Sequence, residues 1–304
     1  MALDHATTDF LKQLADAGGK PLHEMTVAEA RTLSASLGEL CGKGPDMARV
    51  EETTIAAGNG ASFPARVLVP MGTPRGVLLY FHGGGWVLGT LDEYDTLARE
   101  LAARTGCTVV LPGYRLAPEH RYPTAARDAY AALRWVADRM PGRPIVVAGD
   151  SAGGNLSAVV TQRARDENGP AIALQVLVYP VTDCDLDRDS YLDPENQLML
   201  TRDGLAWFWD HYAPDRAQRA NPDASPLRAA DLSGLPPALV LTAEHDVLRD
   251  EGEEYAERLR EAGVPVELRR FEGQMHVFFT LVNVLPGSAA ALTLVAERVA
   301  ERLG

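Results

Sequence analysis

The sequence predicts an α/β fold built on a mostly parallel sheet, and three observations predict it. Short apolar runs recur along the chain, as in "CTVVLPGY" (107–114), "PIVVAGD" (144–150), "LQVLVYP" (174–180) and "PALVLTAE" (237–244). Runs of this kind mark strands buried on both faces, because a half-solvated strand would alternate apolar with polar residues. Segments with helical periodicity lie between them, at 123–140, 152–168 and 249–263, so strand and helix alternate and both sheet faces are covered.

The elements follow in order. Residues 1 to about 45 are helical in two pieces, the second opening where Thr26 precedes Glu29 by three residues and forms a capping box. The pattern then becomes extended at 49–58, 63–70 and 76–81, with Gly and Pro between the segments, as in an antiparallel start to a sheet. A last strand is expected at "VELRRFEG" (266–273). Residues 183–222 break the alternation: they are polar and then aromatic, and read as an insertion over the carboxyl edge of the sheet. The chain divides into an N-terminal helical segment, 1–48, and one α/β domain, 49–304, that carries the insertion.

Composition narrows the function. The 304 residues are 46% hydrophobic and 23% charged, as in ordinary globular proteins, and the formal net charge is -13. Phosphate backbones and anionic membranes would be repelled, so neither nucleic acid nor membrane is an expected partner. No stretch reaches the roughly 18 apolar residues of a membrane span, and the first residues lack a signal-peptide pattern, which predicts a cytoplasmic protein. Cys41, Cys107 and Cys184 are too widely spaced for a metal site and are expected to be reduced.

The chemistry centres on "PIVVAGDSAGGNLSAVV", where Ser151 falls between a buried strand and a helix inside the pattern GxSxG (149–153). A sharp strand-to-helix turn with small flanking residues exposes such a serine at a helix N-terminus, as a nucleophile requires. Serine at its ordinary pKa needs a base, and the base needs an orienting carboxylate. His276 follows the last strand and is the expected base. Asp246 follows the strand before it and is the expected acid, with Glu244 and Asp250 as rivals. Upstream, "HGGGW" (82–86) offers glycine amides that can approach an oxyanion because no Cβ intervenes.

The motifs "HGGGW" (82–86), "YRLAPEH" (114–120), "GDSAGGN" (149–155), "HDVLRDEG" (245–252) and "MHVF" (275–278) occur in this order. The chain resembles the hormone-sensitive-lipase-like serine carboxylesterases of bacteria, in the subgroup whose nucleophile is preceded by Asp. That resemblance implies an α/β-hydrolase fold with an eight-stranded sheet and a helical cap, and the hydrolysis of short- to medium-chain esters without a cofactor or metal. It implies Ser151, Asp246 and His276 as the triad, an oxyanion hole from the N–H groups of Gly83, Gly84 and Ala152, a structural His82, and a homodimer through the sheet edge.

Trp86 and Asp150, within these motifs, and Val277, after the base, are expected to touch substrate. Val277 stands where the family commonly has glycine, Val247 where proline is common, and Gly113 where many members carry a larger residue; these are expected to alter specificity. Of the aromatic cluster Trp207, Phe208, Trp209 and Tyr212, packing is expected for most and pocket contact for one ring. The alternating Asp183, Asp185, Asp187 and Asp189 lack the glycine of a calcium loop and are expected to be solvated. The same machinery would attack an amide or a lactone, which keeps an amidase, a deacetylase or a lactone hydrolase open. A non-catalytic receptor on this fold would lack the base histidine, which "MHVF" retains.

Overall fold

In the strand Val77–Phe81 successive side chains alternate between two buried environments, Val77, Leu79 and Phe81 on one side and Leu78 and Tyr80 on the other. This alternation is the fold in miniature, because a pleated strand covered on both faces needs apolar residues at every position. The computed structural model describes residues 2–58 and 60–304. Its strands are β1 (Arg49–Gly58), β2 (Ala61–Val69), β3 (Val77–Phe81), β4 (Thr108–Pro112), β5 (Ile145–Asp150), β6 (Leu174–Val178), β7 (Ala238–His245) and β8 (Val266–Met275). They form one sheet in the order β1-β2-β4-β3-β5-β6-β7-β8.

Only β2 pairs antiparallel, with β1 and with β4, and every other neighbour pair is parallel. The expectation of an antiparallel third segment is therefore corrected: β3 lies at the centre between β4 and β5. Its five consecutive buried residues belong there.

The helices are α1 (His5–Ala17), α2 (Val27–Glu39), α3 (Asp95–Thr105), α4 (Thr124–Arg139), α5 (Ala152–Asp166), α6 (Asp189–Leu192), α7 (Arg202–Tyr212), α8 (Arg216–Arg219), α9 (Arg249–Glu261) and α10 (Pro286–Leu303). α4 and α5 cover one face of the sheet and α3 and α10 the other. α3 and α10 are absent from the sequence reading. In α10 the apolar positions Ala291, Leu292, Val295 and Val299 carry the buried stripe, at the three- and four-residue spacing of one helix face. The Thr26–Glu29 capping box opens α2, with both of its hydrogen bonds formed.

The 183–222 segment contains α6, α7 and α8 and is bolted to the sheet edge by a buried acid. Glu251, in the first turn of α9, accepts the Thr182 N–H (2.6 Å), the Asp183 N–H and the Tyr191 hydroxyl (2.8 Å). Ser190 Oγ donates to the Val247 carbonyl (2.6 Å), which ties the insertion to the loop after β7. Asp183 is buried rather than solvated, paired with Arg188 and Arg228. Asp185, Asp187 and Asp189 are exposed.

Burial pushes the Glu251 carboxyl up to about 8, against the hydrogen bonds from Thr182 and Tyr191. The folded protein thus holds this proton up to about pH 8, whereas the unfolded chain releases it near 4.5. The group's contribution to stability is full below the lower value and declines as pH rises towards the upper one. In Glu251→Gln, which keeps the acceptor oxygen and removes the charge, the melting temperature relative to the native protein should rise between pH 5 and pH 9. Equal differences at both pH values, read by thermal melting, would contradict a buried protonated acid.

Candidate active site

The site lies at the carboxyl ends of β3, β5, β7 and β8. Ser151 follows β5 directly and precedes α5, with φ 54° and ψ -118°. A non-glycine residue there costs about 1–3 kcal/mol and persists only when its surroundings enforce it. They do so through closeness: a Cβ on Gly153 would lie 1.9 Å from the Phe81 carbonyl oxygen, and one on Gly149 would lie 2.3 Å from the Gly153 oxygen. Both glycines of the GxSxG pattern are therefore dictated by space.

His276 lies one residue beyond β8, and its Nε2 is 3.1 Å from Ser151 Oγ. Its Nδ1 is 2.8 Å from Asp246 Oδ2. The ionised carboxylate only accepts, so Nδ1 carries the proton and Nε2 is left to accept from the serine. Asp246 is fully buried, and its second oxygen accepts the Leu248 N–H (3.0 Å). The rival acids face elsewhere: Glu244 accepts the Gly273 N–H, and Asp250 accepts the Ser190 N–H.

The glycine loop corrects one expectation by one residue. The Gly83 N–H is directed at Asp150 Oδ1 (3.0 Å) and at the Tyr94 hydroxyl (3.0 Å), so it is already engaged. The N–H groups of Gly84 and Gly85 have no partner among the described residues, and both glycines line the same cavity as Ser151 and His276. Gly84 (φ 93°) and Gly85 (φ 58°) are in the left-handed region, where glycine alone is unstrained. Ala152 opens α5, where a backbone N–H has no intrahelical acceptor. His82 is buried beneath the loop, and burial lowers it to about 4, so it is neutral at pH 7 and donates from Nδ1 to the Gly83 carbonyl (2.8 Å).

The cavity has a volume of about 200 Å³. Ala30, Leu33 and Leu37 of α2 form one wall, and Met199, Leu200 and Phe208 of the insertion form another. This is smaller than the roughly 300–1,000 Å³ of pockets for drug-sized ligands, and its walls are mostly apolar, with Ser34 and Glu93 among the polar exceptions, so it suits a small, largely apolar substrate.

The three residues expected to touch substrate are placed differently from one another. Val277 lines the cavity with φ 68°, an unusual backbone for a β-branched residue. Asp150 borders the cavity, but the residue is only 2% exposed and its carboxylate is occupied by Tyr80, Tyr94 and Gly83. Trp86 does not line the cavity. It is wholly buried, stacked on Tyr212 at 4.2 Å between ring centroids and tilted against Trp209 at 4.9 Å. The pocket ring is Phe208, which lies so close to Gly85 that a Cβ there would fall 2.2 Å from it. Tyr80 and Tyr94 were not legible as site residues: Tyr80 lies in an apolar strand run, and Tyr94 precedes α3 in a stretch to which the sequence assigned no element. Among the described residues no group of three or more His, Cys, Asp and Glu could hold a metal ion.

Comparison with known proteins agrees with this fold. A family model described as the alpha/beta hydrolase fold matches residues 78–280. Carboxylesterase NlhH of Mycobacterium tuberculosis is 44% identical over 253 residues, 80% of this chain and 79% of that protein. The ethyl acetate hydrolase of Pseudomonas putida is 36% identical over 307 residues, 96% of each chain. The crystal structure of a thermostable esterase from Pseudomonas putida ECU1011 superposes with a TM-score of 0.92 at 39% identity, covering 100% of this chain and 98% of that one. The chain belongs to the α/β-hydrolase family, within its hormone-sensitive-lipase-like branch of bacterial carboxylesterases.

Proposed function

We propose how this carboxylic-ester hydrolase works: Ser151 is the nucleophile, His276 the base, Asp246 the orienting acid, and the N–H groups of Gly84, Gly85 and Ala152 receive the oxyanion. The observation that carries the reading is the continuous hydrogen-bond chain from Ser151 Oγ through His276 to Asp246, opening into an apolar cavity beside two unengaged glycine amides. His276 Nε2 takes the serine proton as Oγ attacks the ester carbonyl. The imidazolium then gives that proton to the departing alkoxide, leaving an acyl-serine. Water, deprotonated by the same nitrogen, releases the acid and restores the serine.

The small cavity supports short- to medium-chain acyl esters, and a relative named an ethyl acetate hydrolase acts at the short end of that range. We assign residues 1–48 and the insertion at about 183–222 as the two parts of a cap over the catalytic domain, 49–304. Both contribute walls to the cavity. No helix among the described residues is long and apolar enough to cross a membrane. The unpaired state of Cys41, Cys107 and Cys184 supports a cytoplasmic location. The net charge of -13 argues against nucleic acid, and β8, at the end of the sheet, is the edge we assign to a homodimer.

Ser151→Ala should lower kcat/KM for p-nitrophenyl acetate by about 10⁴-fold or more, and a fluorophosphonate should add to the native chain and not to the variant by intact mass. Retained turnover or labelling would displace Ser151. Matched acetyl esters, amides and lactones, compared by kcat/KM, should rank the ester first. Phe208→Ala should raise kcat/KM for hexanoyl over acetyl esters. Trp86→Phe should leave that ratio unchanged while destabilising the fold by about 1–3 kcal/mol in denaturant melts. The reverse pattern would return substrate contact to Trp86.

A further inference from the structure

Asp150 is a charged group that the proposed cycle leaves without a task. Oδ1 accepts the Tyr80 hydroxyl (2.8 Å) and the Gly83 N–H (3.0 Å), and Oδ2 accepts the Tyr94 hydroxyl (3.3 Å). The fit is close, since a Cβ on Gly83 would lie 2.3 Å from Oδ2. Burial pushes the carboxyl up to about 6, with the Tyr80 hydrogen bond drawing it back, so it remains mostly charged at neutral pH. An ionised acid with every oxygen engaged makes stronger hydrogen bonds than a neutral one would.

What Asp150 holds decides where the next amide points. The Gly83 N–H is fixed by Asp150, and the Gly83 carbonyl is fixed by His82 Nδ1 at 2.8 Å. That carbonyl and the Gly84 N–H belong to one planar trans peptide and point in opposite directions. Fixing both ends of Gly83 therefore sets the direction of the Gly84 N–H, although glycine left to itself would explore many orientations. Ser151 adjoins Asp150 in the chain, so the residue that carries the nucleophile's neighbour also carries the anchor of the oxyanion loop.

We infer that Asp150 is a positioning residue for catalysis, which aims the Gly84 amide at the oxyanion by holding the Gly83 N–H. The inference rests on the assignment of the Gly84 and Gly85 amides to the oxyanion. The carboxylate neither contacts substrate nor moves a proton. Its loss should therefore be felt in the tetrahedral state and not in ester binding.

The test compares Asp150→Asn, Asp150→Ala and Tyr94→Phe. Each is measured for kcat and KM on p-nitrophenyl acetate, and for affinity towards a trifluoromethyl ketone and the matching methyl ketone. Ser151 Oγ adds to the fluorinated carbonyl, its proton passes to His276, and the carbonyl oxygen becomes an anion that needs the amides. The native enzyme should bind the fluorinated ketone far more tightly. Asp150→Ala should lower kcat by about 100-fold, the size of an oxyanion donor lost, with KM within about threefold. Asp150→Asn, which retains one acceptor oxygen, should recover about tenfold of that, and Tyr94→Phe should lose only severalfold. Trifluoromethyl ketone affinity should fall in parallel with kcat/KM, while methyl ketone affinity stays constant.

A rise in KM at constant kcat would overturn the inference, by making Asp150 a substrate contact. Native-like trifluoromethyl ketone affinity in Asp150→Asn would also overturn it while leaving the oxyanion assignment intact. If the native enzyme showed no preference for the fluorinated ketone, the assignment itself would fall, and the inference with it. Asn and Phe preserve shape, so the two conservative variants decide the matter even if the alanine variant does not fold.

Discussion

The contact on which the site depends is the approach of Gly153 to the end of β3. A single added Cβ would sit 1.9 Å from the Phe81 oxygen and 2.6 Å from the His82 oxygen, so the first turn of α5 rests directly on the strand that leads into the glycine loop. The proposed nucleophile and oxyanion donors come from segments about seventy residues apart, yet this contact leaves no room for a side chain where the two segments meet. The parallel pairing of β3 with β5, from Val77 opposite Ile145 to Phe81 opposite Gly149, brings both strand ends to the same level. Register and glycine together set the distance between the attacking atom and the groups that receive the charge.

The elements we assign to the cap grip this pair from the other side. Arg31 of α2 donates to the Val87 and Ala117 carbonyls and pairs with Glu119, and α7 lays Phe208 over Gly85 while Trp209 and Tyr212 clasp Trp86. The turn carrying the free amides is thus held by two elements that also form the walls of the cavity. In the proposed cycle substrate selection and oxyanion geometry share residues, so changes in these two elements would reach the chemistry without touching Ser151, Asp246 or His276. Water exclusion has the same source: the apolar walls that accept an acyl chain also lower the polarity around the triad, where fixed dipoles act more strongly.

The sequence showed what is local and chemical. Ser151, Asp246 and His276, which the fold brings into one hydrogen-bonded line, stand out in the sequence because each follows a recognisable strand, and the sheet needed only alternation and burial to be recognised. Less legible was anything set by the orientation of a peptide plane or by a distant partner. Which of three adjacent glycines has a free amide depends on where Asp150 and His82 lie, which spacing does not disclose. Trp86 borders the glycines in sequence, yet α7, more than a hundred residues later, buries it away from the cavity. β3 read as part of an antiparallel start because its neighbours in sequence are antiparallel, although its unbroken run of buried residues fits a central parallel strand. Helix α3 was missed because charged residues are interspersed among its apolar positions, and α10 because alanine-rich turns give a weak periodic signal.

Backbone strain shows where the fold concentrates its constraints. Among the described residues six non-glycine positions have positive φ, and two of them, Asn168 and Asn283, are of the type that tolerates it. The other four are Trp86, Ser151, Tyr179 and Val277, and all belong to the site or its support. Trp86 adjoins the Gly84 and Gly85 amides, Ser151 is the proposed nucleophile, Val277 follows the proposed base, and the Tyr179 ring packs against His276 at 4.5 Å. Each cost is met by neighbours that leave no alternative: Trp86 and Tyr179 are wholly buried, and Ser151 lies between two crowded glycines. A glycine at 277 would relieve strain there, but it would also free the peptide that follows the catalytic histidine. Valine restricts that peptide while narrowing the cavity, so it trades backbone ease for a more firmly held His276 and a smaller cavity.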